Sequence, residues 1–462
     1  MTYSNLLFAS VILPISVLAA MFDRSAEYKN LILCVTSLLF VIWGKAFAAA
    51  AIFLSVIVDF VLAIAAEGSL KRSKQSSAVF MVIDFLFNAG LFVWLTHNEL
   101  FTSDSALHLR SALIPVGVGF YTLKNFSYVY DVYSGRIKAE RNIFCLLTYG
   151  MSYPFLLAGP VVRYGDAEPQ IRKRSTDLSK ISSGLSSFAL GFAKVTLVVP
   201  VLTKLANAGL DPKEPTLIGA WAGMIAFFGA AYFSFAGLSD MGAGCARMNG
   251  FECEVNYRPI TAKRMVGGLV NSYNTSMAGF FRDICGKGGA AFLLTAVFGL
   301  IGAGFYAQSK FAMAMGAVIA LLLMIENLLS YEAIEKIPTV LKVPVLFVIA
   351  MLTFSAFAFG SFGEWKSWLG CLMGRGTLYQ LSKAVKYIII NNCWLLLIAL
   401  ISVTPIGRGI NGALTAYGEK SPKAYGEKSP KAYGRVRTLK TLLTALLLIV
   451  SFIAAAAETA GA

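Results

Sequence analysis

Apolar runs long enough to cross a bilayer recur from one end of this 462-residue chain to the other. A transmembrane helix needs about 17 to 25 such residues. Runs of that kind lie near residues 5 to 21, 31 to 43, 47 to 66, 78 to 96, 111 to 128, 183 to 205, 216 to 236, 288 to 308, 311 to 330, 343 to 360, 384 to 403 and 440 to 457. Hydrocarbon offers the backbone no water, so such segments must be helices that satisfy their own hydrogen bonds. The expectation is an all-α, polytopic membrane protein with about twelve transmembrane helices plus re-entrant and amphipathic segments, forming one domain over residues 1 to 462.

Composition agrees. Hydrophobic residues make up 57% of the chain and charged residues 14%, against roughly 25% charged in a soluble domain. The formal charge of +15 is spread over short loops between apolar runs. That is the pattern of a positive-inside bias, and it leaves no folded basic surface for nucleic acid. The seven cysteines stand singly, with no CxxC pair and no metal-ligand spacing, so they are expected reduced and structural, with no metal bound. The first twenty residues are apolar without a basic leader, which reads as a first membrane helix and not a cleaved signal peptide.

With the basic loops at Lys71, Arg72 and Lys74, at Arg136, Lys138 and Arg141, and at Arg172, Lys173 and Arg174 on the cytoplasmic side, both chain ends and the loop at 97 to 110 face out. The only two histidines, His97 and His108, then sit at or beyond the membrane edge. Residues 143 to 160 are apolar but bracketed by basic segments and interrupted by Pro154, Gly159 and Pro160. Such a stretch is expected to be re-entrant, with irregular backbone buried in protein or lining a cavity. A second irregular zone is expected from Ser239 to Gly289, and residues 416 to 434, which repeat Ala-Tyr-Gly-Glu-Lys-Ser-Pro-Lys, read as a flexible cytoplasmic loop.

Several strings carry a resemblance. They are Leu39-Phe40-Val41-Ile42-Trp43-Gly44, Gly117-Val118-Gly119-Phe120-Tyr121-Thr122, Tyr128-Val129-Tyr130-Asp131-Val132-Tyr133-Ser134-Gly135, Leu157-Ala158-Gly159-Pro160-Val161-Val162-Arg163-Tyr164, Gly237-Leu238-Ser239-Asp240-Met241, Arg247-Met248-Asn249-Gly250-Phe251 and Phe281-Arg282-Asp283. In order and spacing together they resemble the membrane-bound O-acyltransferases, especially the bacterial alginate-acetylation branch. The resemblance implies a cytoplasmic substrate funnel to which Lys124, Pro160, Arg163, Tyr164, Asp240 and Arg282 contribute. It also implies an acyl-coenzyme A or acyl-carrier thioester donor with no bound cofactor, and residence in the bacterial cytoplasmic membrane. An acetylation partner protein outside the membrane is implied as well. A charge near membrane depth is costly and faces an aqueous cavity or a partner, which independently singles out Lys124 and Arg163.

The family's intramembrane histidine precedes an apolar run ending in Ile-Glu. Here that run is Leu321-Leu322-Leu323-Met324-Ile325-Glu326, and Ile319 stands at the histidine position. Where relatives carry Trp-His before the Arg-Asp element, this chain has Tyr273-Asn274. A positioned base contributes about 100- to 10,000-fold to such a transfer, and isoleucine has no lone pair. The replacement candidates are Asn274, Asp283 and Glu326, with Asp240 also weighed as a base. Two functions follow: an envelope-polysaccharide acyltransferase of reduced or lost activity, or a catalytically inactive scaffold in an envelope-modification complex. A transporter fits less well, because no paired broken helices occupy matching halves.

Overall fold

The computed structural model describes residues 3–22, 25–43, 46–97, 115–156, 162–211, 213, 215–253, 255–256, 275–285, 310–328, 338–355, 357–359, 361–375, 381–403 and 430–460. Helices make up most of the described residues: α1 (Leu13–Met21), α2 (Ala26–Ile42), α3 (Ala46–Leu70), α4 (Lys74–His97), α5 (Pro115–Tyr133), α6 (Ile143–Met151), α7 (Tyr164–Arg172), α8 (Leu178–Ala193) and α9 (Val199–Gly209). They continue with α10 (Leu217–Met248), α11 (Thr275–Cys285), α12 (Lys310–Leu328), α13 (Thr339–Ser355), α14 (Phe362–Leu372), α15 (Lys383–Asn391), α16 (Cys393–Val403) and α17 (Pro430–Ala460). Helix therefore occupies every apolar segment named above except 288 to 308, which lies outside the described residues. Among the described residues, five helices are long and apolar enough to span a bilayer: Ala49–Leu70, Lys74–Phe92, Leu178–Gly209, Leu217–Met248 and Thr438–Thr459. The chain is an all-α, multi-pass membrane protein.

Three expectations change. The run at 384 to 403 is bent by 73° between α15 and α16. There Asn392 donates its side-chain amide to the Ile388 carbonyl at 2.9 Å and starts the next helix. The irregular zone expected from Ser239 begins later, because α10 runs unbroken through Ser239 and Asp240 to Met248. It stops at Gly250, whose φ of +87° closes a C-terminal cap in which Phe251 N–H reaches the Ala246 carbonyl. Finally, residues 430 to 434 of the expected loop belong to α17; residues 416 to 429 lie outside the described residues.

Two π-helical turns have a common cause. Phe8–Ile12 and Lys194–Val198 each run into a helix carrying proline in its first turn, at Pro14 and Pro200. Proline removes one i to i−4 bond and crowds the preceding turn, and the wider turn accommodates it.

The helices form two units, Met1–Gly184 with Leu238–Gly360, and Leu185–Gly237 with Ser361–Ala462. In the first, α3, α4 and α5 pack on one another, and α6 packs on α2 and α3. In the second, close glycine contacts hold neighbouring helices. A Cβ on Gly237 would stand 2.8 Å from the Gly191 carbonyl oxygen, and one on Gly209 would stand 2.6 Å from both the Gly219 oxygen and the Gly223 Cα. The contacts share one antiparallel register, since Gly209 follows Gly191 by as many residues as Gly219 precedes Gly237. Small residues substitute here for the hydrophobic drive that lipid removes. Gly223→Leu should cost about 1–3 kcal/mol of stability by overpacking and lower the melting temperature in detergent. Gly68→Ala, where nothing lies within 4 Å of the new Cβ, should change it little.

Candidate functional site

The site is assembled around a short buried helix. α6 has nine residues, about 14 Å at the α-helical rise, and cannot cross a hydrocarbon core of about 30 Å. It is capped at its start by the Asn142 side chain, which accepts from the Phe144 N–H at 2.9 Å. Every residue from Cys145 to Leu156 is buried. The chain leaves α6 through a 3-10 turn, Tyr153–Phe155, which contains Pro154. Burial in protein, one of the two alternatives open to a re-entrant segment, is the one realised by these residues.

Lys124 holds the end of α6. Its side chain is 1% exposed, and its ammonium donates to the carbonyls of Tyr149 at 2.8 Å and Gly150 at 3.0 Å. Those carbonyls lie in the last turn of the helix, where the backbone lacks intrahelical donors and the helix dipole is negative. The Tyr149 ring lies 5.0 Å from the same ammonium, and its hydroxyl reaches the Lys124 and Val162 carbonyls at 3.2 and 3.0 Å. Beyond the turn, the Tyr153 hydroxyl donates to Ser16 Oγ at 3.1 Å and accepts from Asn249 Nδ2 at 2.8 Å, while Tyr153 N–H donates to Ser37 Oγ at 2.9 Å. Asn249 thereby ties the Arg247 to Phe251 string to the Tyr153 turn.

Arg163 joins two strings far apart in sequence. Its Nη1 lies 3.2 Å from Asp131 Oδ1 and 3.3 Å from Asp283 Oδ2, and its guanidinium lies over the Phe280 ring at 5.3 Å. The cap at Gly135, with φ of +74°, turns the chain so that Arg136 sits 3.6 Å from Asp131 and donates Nη2 to the Asp283 carbonyl at 2.8 Å. Arg163 Nη2 is buried with no hydrogen-bond partner among the described residues. The guanidinium thus keeps one directed donor in reserve beside an exposed carboxylate, Asp283, whose side chain is 53% exposed.

Glu140 anchors the neighbouring loop. It accepts from the Tyr164 hydroxyl, from Arg172 Nη2 at 2.6 Å and from the backbone N–H groups of Arg141 and Asn142 at 2.8 Å each. Burial pushes its carboxyl up, but the Tyr164 hydroxyl, the two N–H groups and the Arg172 charge outweigh it and hold the group below its ordinary range. Arg174, donating Nε to the Asn249 carbonyl at 3.1 Å and stacked 4.5 Å from the Phe251 ring, is pulled down to about 10 by burial.

Of the residues singled out from sequence, the structure brings Arg163 to Asp283, gives Tyr164 to Glu140, and turns Lys124 onto the backbone. Asp240 and Glu326 are half-buried on α10 and α12, Arg282 is exposed on α11, and each has interactions of its own. Ile319 lies on α12, but its side chain, with Pro160 and Asn274, falls outside the described residues. Sequence reasoning missed Asp131 and Glu140 as site-builders. The signal for Asp131 was present, a lone carboxylate within the tyrosine-rich string at the end of α5.

No family model matches the chain. It is 27% identical over 403 residues to the probable alginate O-acetylase of Pseudomonas aeruginosa, a match covering 79% of this chain and 76% of that one. It is 30% identical over 292 residues to the probable alginate O-acetylase of Pseudomonas syringae pv. tomato, covering 61% of this chain and 56% of the relative. It is 24% identical over 206 residues to the peptidoglycan O-acetyltransferase of Helicobacter pylori, covering 38% and 37%. The chain thus spans little more than half the length of the P. syringae relative. The chain is thus similar over most of its length to an alginate O-acetylase and over a shorter stretch to a peptidoglycan O-acetyltransferase.

The Glu140 cluster gives a pH signature. A carboxyl held low in the folded state contributes stability that is present above its unfolded pKa of about 4.3 and is lost as pH falls through the folded value. Glu140→Gln should lower the melting temperature in detergent at pH 7, and the gap to wild type should close only in acid below that range. An equal gap at every pH would contradict the electrostatic account.

Proposed function

We propose that this protein is an O-acyltransferase of the envelope-polysaccharide type, resident in the bacterial cytoplasmic membrane. It takes an acetyl or similar acyl group from acyl-coenzyme A or an acyl-carrier thioester on the cytoplasmic side. The acceptor is a hydroxyl of a cell-envelope polysaccharide, reached with a partner protein outside the membrane. The observation that carries this reading is the 27% identity over 79% of the chain to an alginate O-acetylase. The meeting of the Arg163 and Asp283 strings in space supports it.

In such a transfer the hydroxyl oxygen attacks the thioester carbonyl, the carbon–sulfur bond breaks, and the proton lost by the hydroxyl ends on the departing thiolate. Binding and orientation fall to the funnel residues Lys124, Pro160, Arg163, Tyr164, Asp240 and Arg282. Lys124 and Tyr164 act through the backbone and Glu140, so they position the site. Arg163, with Nη2 unused, is the donor suited to a carbonyl or phosphate oxygen. The proton acceptor comes from Asp240, Asp283 or Glu326, with Asn274 a candidate hydrogen-bond partner. A second reading, a scaffold that binds the donor without transfer, is favoured by isoleucine at position 319.

Purified full-length protein with radiolabelled acetyl-coenzyme A and polysaccharide acceptor separates them. The expectation is saturable donor binding with slow transfer, about 100- to 10,000-fold below a histidine-bearing relative, that falls further in Asp283→Asn or Glu326→Gln. Binding with no transfer above the uncatalysed rate selects the scaffold. Failure to bind any acyl thioester contradicts both.

A further inference from the structure

The α3, α4 and α5 triplet contains a buried polar cluster that the acyl-transfer reading does not use. Asp59 lies on α3, Asp84 and Asn88 on α4, and Asn125 on α5, exposed by 2%, 0%, 2% and 3%. Each aspartate interrupts an apolar run, Val56-Ile57-Val58-Asp59-Phe60 and Met81-Val82-Ile83-Asp84-Phe85. Both stand near the middle of a helix long and apolar enough to span a bilayer. A carboxylate at that depth is costly and marks a function or a partner.

The partners supplied by the protein do not suffice. Asn88 Nδ2 donates to Asp59 Oδ1 at 3.1 Å and to the Asp84 carbonyl at 3.1 Å. The two carboxyl groups lie within hydrogen-bond reach of each other, and the Asn125 amide approaches Asp59. Yet Asp59 Oδ2, both Asp84 carboxyl oxygens, Asn88 Oδ1 and Asn125 Nδ2 remain buried with no hydrogen-bond partner of good geometry among the described residues. Among these unpartnered atoms, acceptor oxygens outnumber donors.

Among the described residues, the charged and titratable groups nearby do not neutralise the pair. On α5, Tyr121 is engaged by Ser55 and the Ile52 carbonyl, and Tyr128 accepts from the Glu140 N–H. Lys124 turns to the carbonyls of Tyr149 and Gly150. Lys74, at the start of α4, lies over the Tyr133 ring, and Glu67, further along α3, pairs with Arg141. From α2, Cys34 meets Thr148, and from α6, Tyr149 points to the Lys124 and Val162 carbonyls. Two touching carboxylates without a cation would repel in a medium that screens them poorly. What the cluster lacks is one positive charge.

We propose that Asp59 and Asp84 form an intramembrane proton-binding site, one proton being shared between the facing carboxyl groups while Asn88 and Asn125 orient them. Like charges in one site retain a proton in this way. A proton needs only two neighbouring oxygens, whereas no group of three or more His, Cys, Asp or Glu side chains that could hold a metal ion occurs among the described residues. The site joins three helices through one exchangeable proton, independently of whether the chain transfers an acyl group.

Infrared spectroscopy of the full-length protein in lipid nanodiscs tests this directly, because only a protonated carboxyl shows the acid C=O stretch, and ordinary carboxylates are ionised at pH 7. Wild type should show that band at pH 7, shifted in D2O, insensitive to sodium or potassium chloride, and absent from the Asp59→Asn/Asp84→Asn double variant. Dicyclohexylcarbodiimide, which adds to protonated carboxyl groups in apolar surroundings, should place its adduct on Asp59 or Asp84 of wild type by peptide mass spectrometry. This assigns the site even if the double variant does not fold. A band that survives in the double variant places the acid elsewhere and overturns the proposal. So does the absence of an acid band in wild type, with salt-dependent carboxylate bands identifying a metal cation and salt-independent ones an empty pair.

Discussion

A helix that ends inside a membrane protein leaves its last carbonyls with no water to turn to, and in this chain α6 ends in that way at Met151. The ammonium of Lys124 meets two of those carbonyls, and its charge is in turn tolerable at 1% exposure because the negative end of α6 and the Tyr149 ring receive it. Neither partner is stable there alone. Removing the lysine would orphan two carbonyls, at a cost of about 1–3 kcal/mol for each buried group left unsatisfied. The turn at Tyr153 follows from where α6 stops, and the bonds from Tyr153 to Ser16, Ser37 and Asn249 follow from the turn.

That chain of dependence sets the electrostatics of the candidate site. Once α6 and its turn are placed, the strand of chain leading into α7 carries Arg163 to Asp131 and Asp283, and Tyr164 to Glu140. Glu140 and Arg172 secure the start and end of the segment. The polar residues first attractive as ligand contacts divide accordingly. Lys124 and Tyr164 hold the scaffold, while Arg163 pairs with the exposed Asp283 through Nη1 and keeps Nη2 without a partner among the described residues.

Much of this was legible in sequence. Apolar runs gave the helices because burial in lipid leaves few alternatives, and Pro154 with the bracketing basic residues marked 143 to 160 as unable to cross. Lys124 and Arg163 stood out because charges are rare at membrane depth. Their partners were not legible, since a backbone carbonyl leaves no mark in composition and Asp131 and Asp283 are too distant in sequence for any local pattern to join them. The bend at Asn392 was hidden by the apolar residues around it, and the extension of α10 by the polar look of Ser239 and Asp240, both of which the helix accommodates. Asp59 and Asp84 carried the same mark as Lys124, a charge within an apolar run, but read singly they gave no hint that they meet.

The central claim is that the segment from Cys145 to Leu156 is buried and held by Lys124, not an open lining of a water-filled funnel. Hydrogen–deuterium exchange of the protein in nanodiscs measures it. The account predicts protection of Cys145 to Leu156 comparable with that of α3, and loss of that protection in Lys124→Met while α3 stays protected. Exchange of the segment in wild type as fast as that of solvent-exposed loop amides would contradict it.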